Sequence, residues 1–117
     1  MAFIPGQGVL GRLTFKDGAA PEYDRTYLVV SVSVDHIEVL NVSSIRGKER
    51  KLAYPSNERL RVYCPPFLKP SFVKLDSLTR VDAAEWGTLK LLYRGQPLDK
   101  SELARIQSLL EQVEESQ

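Results

Sequence analysis
Arg25 and the adjacent hydroxyls of Ser43 and Ser44 are the residues of this chain whose types and spacing best suit chemistry. Arg25 opens the apolar run Thr26-Tyr27-Leu28-Val29-Val30-Ser31. Ser43 and Ser44 close a second run, Ile37-Glu38-Val39-Leu40-Asn41-Val42. Two such runs read as strands, and hairpin pairing brings the start of the first to the end of the second. A fixed cation then lies beside a hydroxyl. That pair suits cleavage of a phosphodiester without a metal. The planar guanidinium holds two phosphate oxygens at once, and a hydroxyl donates to a nonbridging oxygen as charge builds on phosphorus. A guanidinium keeps its proton up to a pKa above about 12, so charge stabilisation suits Arg25 better than proton transfer. Each residue also has a plain structural use: an arginine caps a strand at the surface, and a strand-end hydroxyl bonds the backbone. Side chains alternate across a strand, so only one of Ser43 and Ser44 can face such a site, and both stay open at this point.

His36 is the single histidine. Its ordinary pKa of about 6.5 would make it a natural base. It falls in the hairpin turn, however, at the far end of both runs from Arg25 and Ser43. Directly after the two serines comes a local basic patch, Arg46, Lys48, Arg50 and Lys51, around Gly47 and Glu49. Such a patch attracts a phosphate backbone, and it equally describes a solvated loop. Tyr23 and Tyr54 are candidates to stack on unpaired bases beside it. Asp17 and Glu22 are candidates to read base edges. The sequence pattern offers no metal-ligand spacing, and Gly6, Gly8 and Gly11 precede a strand rather than the helix a nucleotide loop requires. No cofactor is expected.

The elements that must position these residues are mostly strands. Val9 to Phe15 reads as a strand, followed by a turn-rich loop from Asp17 to Glu22. Thr26 to Val34 and Ile37 to Ser44 form the expected hairpin, with Val30, Val32 and Val34 on one face. Lys51 to Tyr54 and Leu60 to Tyr63 are read as short strands. Cys64-Pro65-Pro66-Phe67-Leu68-Lys69-Pro70 is excluded from any central strand, since proline donates no ladder hydrogen bond. Ser71 to Leu75, Leu78 to Val81 and Leu89 to Tyr93 complete the strands. A C-terminal helix starts at Asp99, with Glu102 as capping-box partner. Leu103, Ile106, Leu109, Leu110 and Val113 share its apolar face. The expected class is α+β: a small, mostly antiparallel SH3-like β-barrel with a C-terminal helix.

The 117 residues are expected to form one domain, residues 1–117. The formal net charge of +1 means no global field draws the chain to nucleic acid or membrane, so any such binding is local. A single cysteine, Cys64, excludes an internal disulfide and reads as a turn or buried residue. Neither a signal peptide nor a membrane-spanning run is visible, so a soluble, cytoplasmic protein is expected.

The order of these elements resembles the MazF/PemK family of toxin endoribonucleases. Gly8-Val9-Leu10-Gly11-Arg12-Leu13 is similar to the family's opening strand. Arg25 to Ser31 is similar to its arginine-proline-hydrophobic strand, and Ile37 to Ser43 to the strand ending in its active-site threonine. The segment Pro70 to Val81 is similar to its late strand pair, and Leu98 to Leu110 to its closing helix. The chain departs from the pattern at Thr26, where the family has proline, at Ser43, where it has threonine, and through Arg46 to Pro70. The resemblance implies metal-independent cleavage of single-stranded RNA by its own 2′-hydroxyl, leaving a 2′,3′-cyclic phosphate and a 5′-hydroxyl. It implies Arg25 with Ser43 or Ser44 as catalytic residues, a homodimer, and a cognate antitoxin protein as partner. Two other classes stay open: a gyrase poison like the CcdB branch of the same fold, and a non-catalytic SH3-like barrel that binds protein or nucleic acid.

Overall fold
A computed structural model describes residues 2–13 and 22–115. Asp17 and the end of the first expected strand lie outside the described residues. Among the described residues, seven strands form one antiparallel sheet: β1 (Gly8–Gly11), β2 (Arg25–Val32), β3 (His36–Ser44), β4 (Asn57–Arg59), β5 (Ser71–Lys74), β6 (Thr79–Asp82) and β7 (Lys90–Leu91). One helix follows, α1 (Lys100–Glu115). The strands pair in the order β4-β5-β3-β2-β1-β7, and β6 pairs with β3. The α+β class, the antiparallel pairing and the C-terminal helix are as expected; the pairing itself describes an open sheet. No described helix is long and apolar enough to cross a membrane.

β3 is the organising strand because three neighbours use it. Its first half pairs with β6, from His36 opposite Asp82 to Val39 opposite Thr79. Its second half pairs with β5, from Val42 opposite Val73 to Ser44 opposite Ser71. β2 runs along its other edge, with Thr26 opposite Val42 and Val29 opposite Val39. Between Val29 and Ser31 the register shifts, because Val30 is an extra residue on β2. The amide of Gln107 on α1 donates to the Val30 carbonyl at 2.8 Å, so the helix supplies a partner at the bulge. The shift also undoes the expected valine stripe. Val30 is buried, Val32 is partly exposed, and Val34 lies beyond the strand in the turn, fully exposed.

Two apolar clusters lie on the two faces of the sheet. On the helix side, Leu28, Val30, Leu40, Val42 and Val73 pack with Leu98, Ile106 and Leu110. On the other side, Tyr27, Val29, Ile37, Val39 and Val81 pack with Phe3, Val9 and Leu89. The alternation of β2 and β3 divides their side chains between these clusters, as a half-turn per residue requires.

Asp99 caps α1, accepting the Glu102 amide at 3.1 Å. Glu102 does not return the bond as a capping box would. Its buried carboxylate accepts the backbone N–H groups of Arg61 and Val62 and the guanidinium of Arg105. Arg105 also pairs with Glu58 on β4 at 2.6 Å. This is why Leu60 to Tyr63 is not a strand: two of its donors are bound by the helix instead of a neighbouring strand. Lys51 to Tyr54 is corrected too, since Glu49–Ala53 forms a 3-10 helical turn. Only Lys90 and Leu91 of the expected Leu89 to Tyr93 strand pair, with Leu10 and Val9. The chain then turns through Tyr93, Arg94 and Gly95, all at positive φ.

Candidate functional site
Arg25 begins β2 and Ser43 lies near the end of β3. Thr26 pairs with Val42, so one more step along the register sets Arg25 opposite Ser43. Opposed residues of an antiparallel pair share a face. Tyr27, two residues from Arg25, belongs to the cluster away from the helix, so Arg25 and Ser43 project on that side. Ser44 projects on the helix side with Val42 and Thr26. The alternative between Ser43 and Ser44 is therefore resolved by register: Ser43 shares a face with Arg25 and Ser44 does not.

Lys74 joins them from β5. Val73 pairs with Val42 and Phe72 with Ser43, which sets Lys74 on the Arg25 face, next to Asn41. Its other neighbour is Asn57 on β4. Lys74 is half-buried. Burial first, then the charges of Lys51, Arg25 and Lys48, hold its ammonium below the ordinary lysine pKa, with Asp76 acting weakly the other way. Four cations from three parts of the chain thus converge on one end of the sheet. Lys74 went unnoticed in the sequence, where it is one polar position in a short strand; only the pairing of β5 brings the other cations to it.

Beneath this face lies Asn41, which is 9% exposed. Its amide nitrogen reaches the Thr26 carbonyl at 3.5 Å, and its backbone N–H donates to the Ser77 hydroxyl at 2.8 Å. Its Oδ1 is buried with no hydrogen-bond partner among the described residues. A buried acceptor without a partner is costly.

The other sequence candidates divide. Tyr23 is 58% exposed and its ring lies under the Arg25 guanidinium, 4.9 Å from centroid to Cζ. It holds Arg25 by a cation–π contact. Lys48 and Lys51 belong to the cluster through their fields at Lys74. Arg46 and Arg50 are exposed on the same segment, as is Tyr54, which follows the 3-10 turn. No described contact ties these three to Arg25 or Ser43. Glu22 is exposed. His36 bonds Asp35 at 2.7 Å, at the opposite end of β3. Cys64 is exposed in a turn. Among the described residues, no three His, Cys, Asp or Glu side chains gather as metal ligands.

Chemically, the face presents a guanidinium, a hydroxyl and a half-buried lysine whose proton is held less tightly than usual. A phosphate fits the first two, and the third adds a second positive charge on the same face. No protein-family model matches the chain, and no curated protein matches it.

Proposed function
We propose that this chain is a metal-independent endoribonuclease acting on single-stranded RNA, the toxin of a type II toxin–antitoxin pair. The observation that carries the reading is the shared face of Arg25, Ser43 and Lys74 at one end of the sheet. Arg25 holds the scissile phosphate and Ser43 donates to a nonbridging oxygen. The substrate's 2′-oxygen attacks phosphorus and the bond to the 5′-oxygen breaks. Lys74, an ammonium on the same face, gives its proton to that leaving oxygen as general acid. The proton of the 2′-hydroxyl passes to solvent water as the 2′-oxygen attacks. The products are a 2′,3′-cyclic phosphate and a 5′-hydroxyl.

The resemblance to MazF/PemK toxins supplies the rest of the reading: closure of the sheet as an SH3-like barrel, a homodimer, an antitoxin that covers the cationic face, and a cytoplasmic setting. An acidic segment is the complement that such a face selects.

The test is cleavage of a long, unstructured RNA by the purified protein in excess EDTA, with Arg25→Ala as control. Cleavage by the wild type alone, leaving 5′-hydroxyl ends, supports the reading. Intact RNA with a folded protein overturns it in favour of a barrel that acts by binding alone.

A further inference from the structure
The same strand ends carry a second feature on their opposite side. A cleft of about 250 Å³ opens on the helix face, lined by Thr26 and Ser44 from the strands and by Phe67, Lys69 and Tyr93 from the flanking loops. It is smaller than the roughly 300–1,000 Å³ of pocket that surrounds a drug-sized ligand, which leaves room for a single ring system. The hydroxyls of Thr26 and Ser44 make no hydrogen bond among the described residues. No carboxylate lines the cleft, and a lysine does. Tyr93 is half-exposed and sits at φ 49°, a backbone region where a bulky side chain is rare. Such an outlier is a pointer to use.

Ser43 also lines this cleft. Its side chain belongs to the Arg25 face, so the cleft and the phosphate site are the two sides of one strand end. Aromatic surface, free hydroxyls and a rim cation are what an unpaired base attached to a phosphate chain requires. We propose that the cleft takes one unpaired base of the RNA whose phosphate sits at Arg25 and Lys74. Tyr93 stacks on that base, and the Thr26 and Ser44 hydroxyls read its edge. The cleft is thereby a specificity site, and the inference rests on the ribonuclease reading above.

The experiment uses the full chain and a 2′-fluoro oligonucleotide, which has no attacking hydroxyl, spanning the cleavage site mapped in EDTA. Affinity is measured by fluorescence anisotropy for versions that lack the base at one position each. In the wild type, one position is expected to weaken binding about tenfold when its base is removed, the scale of a lost stacking contact. In Tyr93→Ala, that position is expected to level with the others. Ser44→Ala, a smaller change, is expected to alter which base is preferred there. A base-removal profile and base preference identical in wild type, Tyr93→Ala and Ser44→Ala overturn the proposal while leaving the ribonuclease intact. Absence of both cleavage and Arg25-dependent binding overturns the ribonuclease reading and this inference together.

Discussion

Arg25 and Lys74 lie on the same face of the sheet with β3 between their strands, and the guanidinium helps to lower the lysine's pKa. Two cations placed to repel one another are unfavourable in the empty protein and favourable once an anion lies between them.

Removing one partner reports on the other. Arg25→Ala is expected to raise the Lys74 pKa toward its ordinary value, without restoring it, because burial is the larger cause. NMR titration of the Lys74 side chain reads this directly. The same depression has a stability consequence. The unfolded chain keeps the lysine proton up to about pH 10.5, and the folded chain gives it up earlier. Between those two values the unfolded state binds more protons, so stability rises with pH. Lys74→Met is expected to remove that rise, and to lower the cleavage rate. Urea unfolding at a series of pH values tests the first part, and an unchanged slope would show that Lys74 titrates normally.

Ser43 and Ser44 are neighbours with opposite faces, so their losses should differ in kind. Ser43→Ala is expected to lower kcat by about 100-fold, the cost of one lost donor to a developing oxyanion. Ser44→Ala is expected to leave kcat within a few-fold and to act on KM. Ser43→Thr should keep activity, since the hydroxyl is retained. Steady-state kinetics on a defined RNA separates the cases; equal kcat losses for both alanine variants would place the site elsewhere.

Lys48 and Lys51 act at a distance on Lys74 and are exposed. If they meet the RNA backbone, each contributes counterion release. Replacing either by alanine is expected to reduce the slope of log affinity against log salt by about 0.7, the value for single strands. Binding measured across a salt series gives the slope. A slope unchanged in the double variant would mean that the basic segment is only a solvated loop.

The Glu102 carboxylate joins α1 to the segment after β4 and is 4% exposed. Its hydrogen bond with Arg105, followed by the Arg61 and Val62 amides, holds it below the usual carboxylate pKa against the opposing effect of burial. A lowered pKa stabilises the fold above the unfolded value of about 4.5 and is lost as pH falls through the folded value. Glu102→Ala leaves Arg105 with Glu58 and the Arg59 carbonyl and strips two amides of their acceptor. A loss on the order of 3 kcal/mol is expected, read by chemical denaturation at neutral pH. Glu102→Gln should flatten the acid limb of the stability curve; an unaltered limb would assign acid unfolding to other carboxylates.

Much of this arrangement was legible in the residues. The β-branched hairpin and the capped amphipathic helix announce themselves, because Thr26 to Ser44 and Asp99 to Val113 carry strong periods. The meeting of Arg25 with the serines follows from antiparallel pairing alone. Whether Ser43 or Ser44 faces Arg25 needed the register, which a one-residue shift reverses. The 3-10 turn had a signal that composition could have given: Glu49-Arg50-Lys51-Leu52-Ala53 are helix formers without a β-branched residue. Lys74 had none, because its altered proton affinity is made by residues distant in sequence. The Glu102 link was half visible, as a residue correctly placed at the helix start whose partners lie some forty positions away.

The extra residue at Val30 bears on how this strand tolerates change in length. Upstream of it, β2 sends Arg25, Tyr27 and Val29 to one face; downstream, the count is offset by one. Deleting Val30 would leave Val29 and Ser31 opposite the adjacent Val39 and Glu38, so the ladder would become regular with Arg25 still on the side of Ser43. Substitutions along β2 can be conservative or costly one at a time. The bulge is thus the place where β2 can shorten by one residue without moving Arg25, at the cost of the Val30 side chain in the core and of the carbonyl that Gln107 binds.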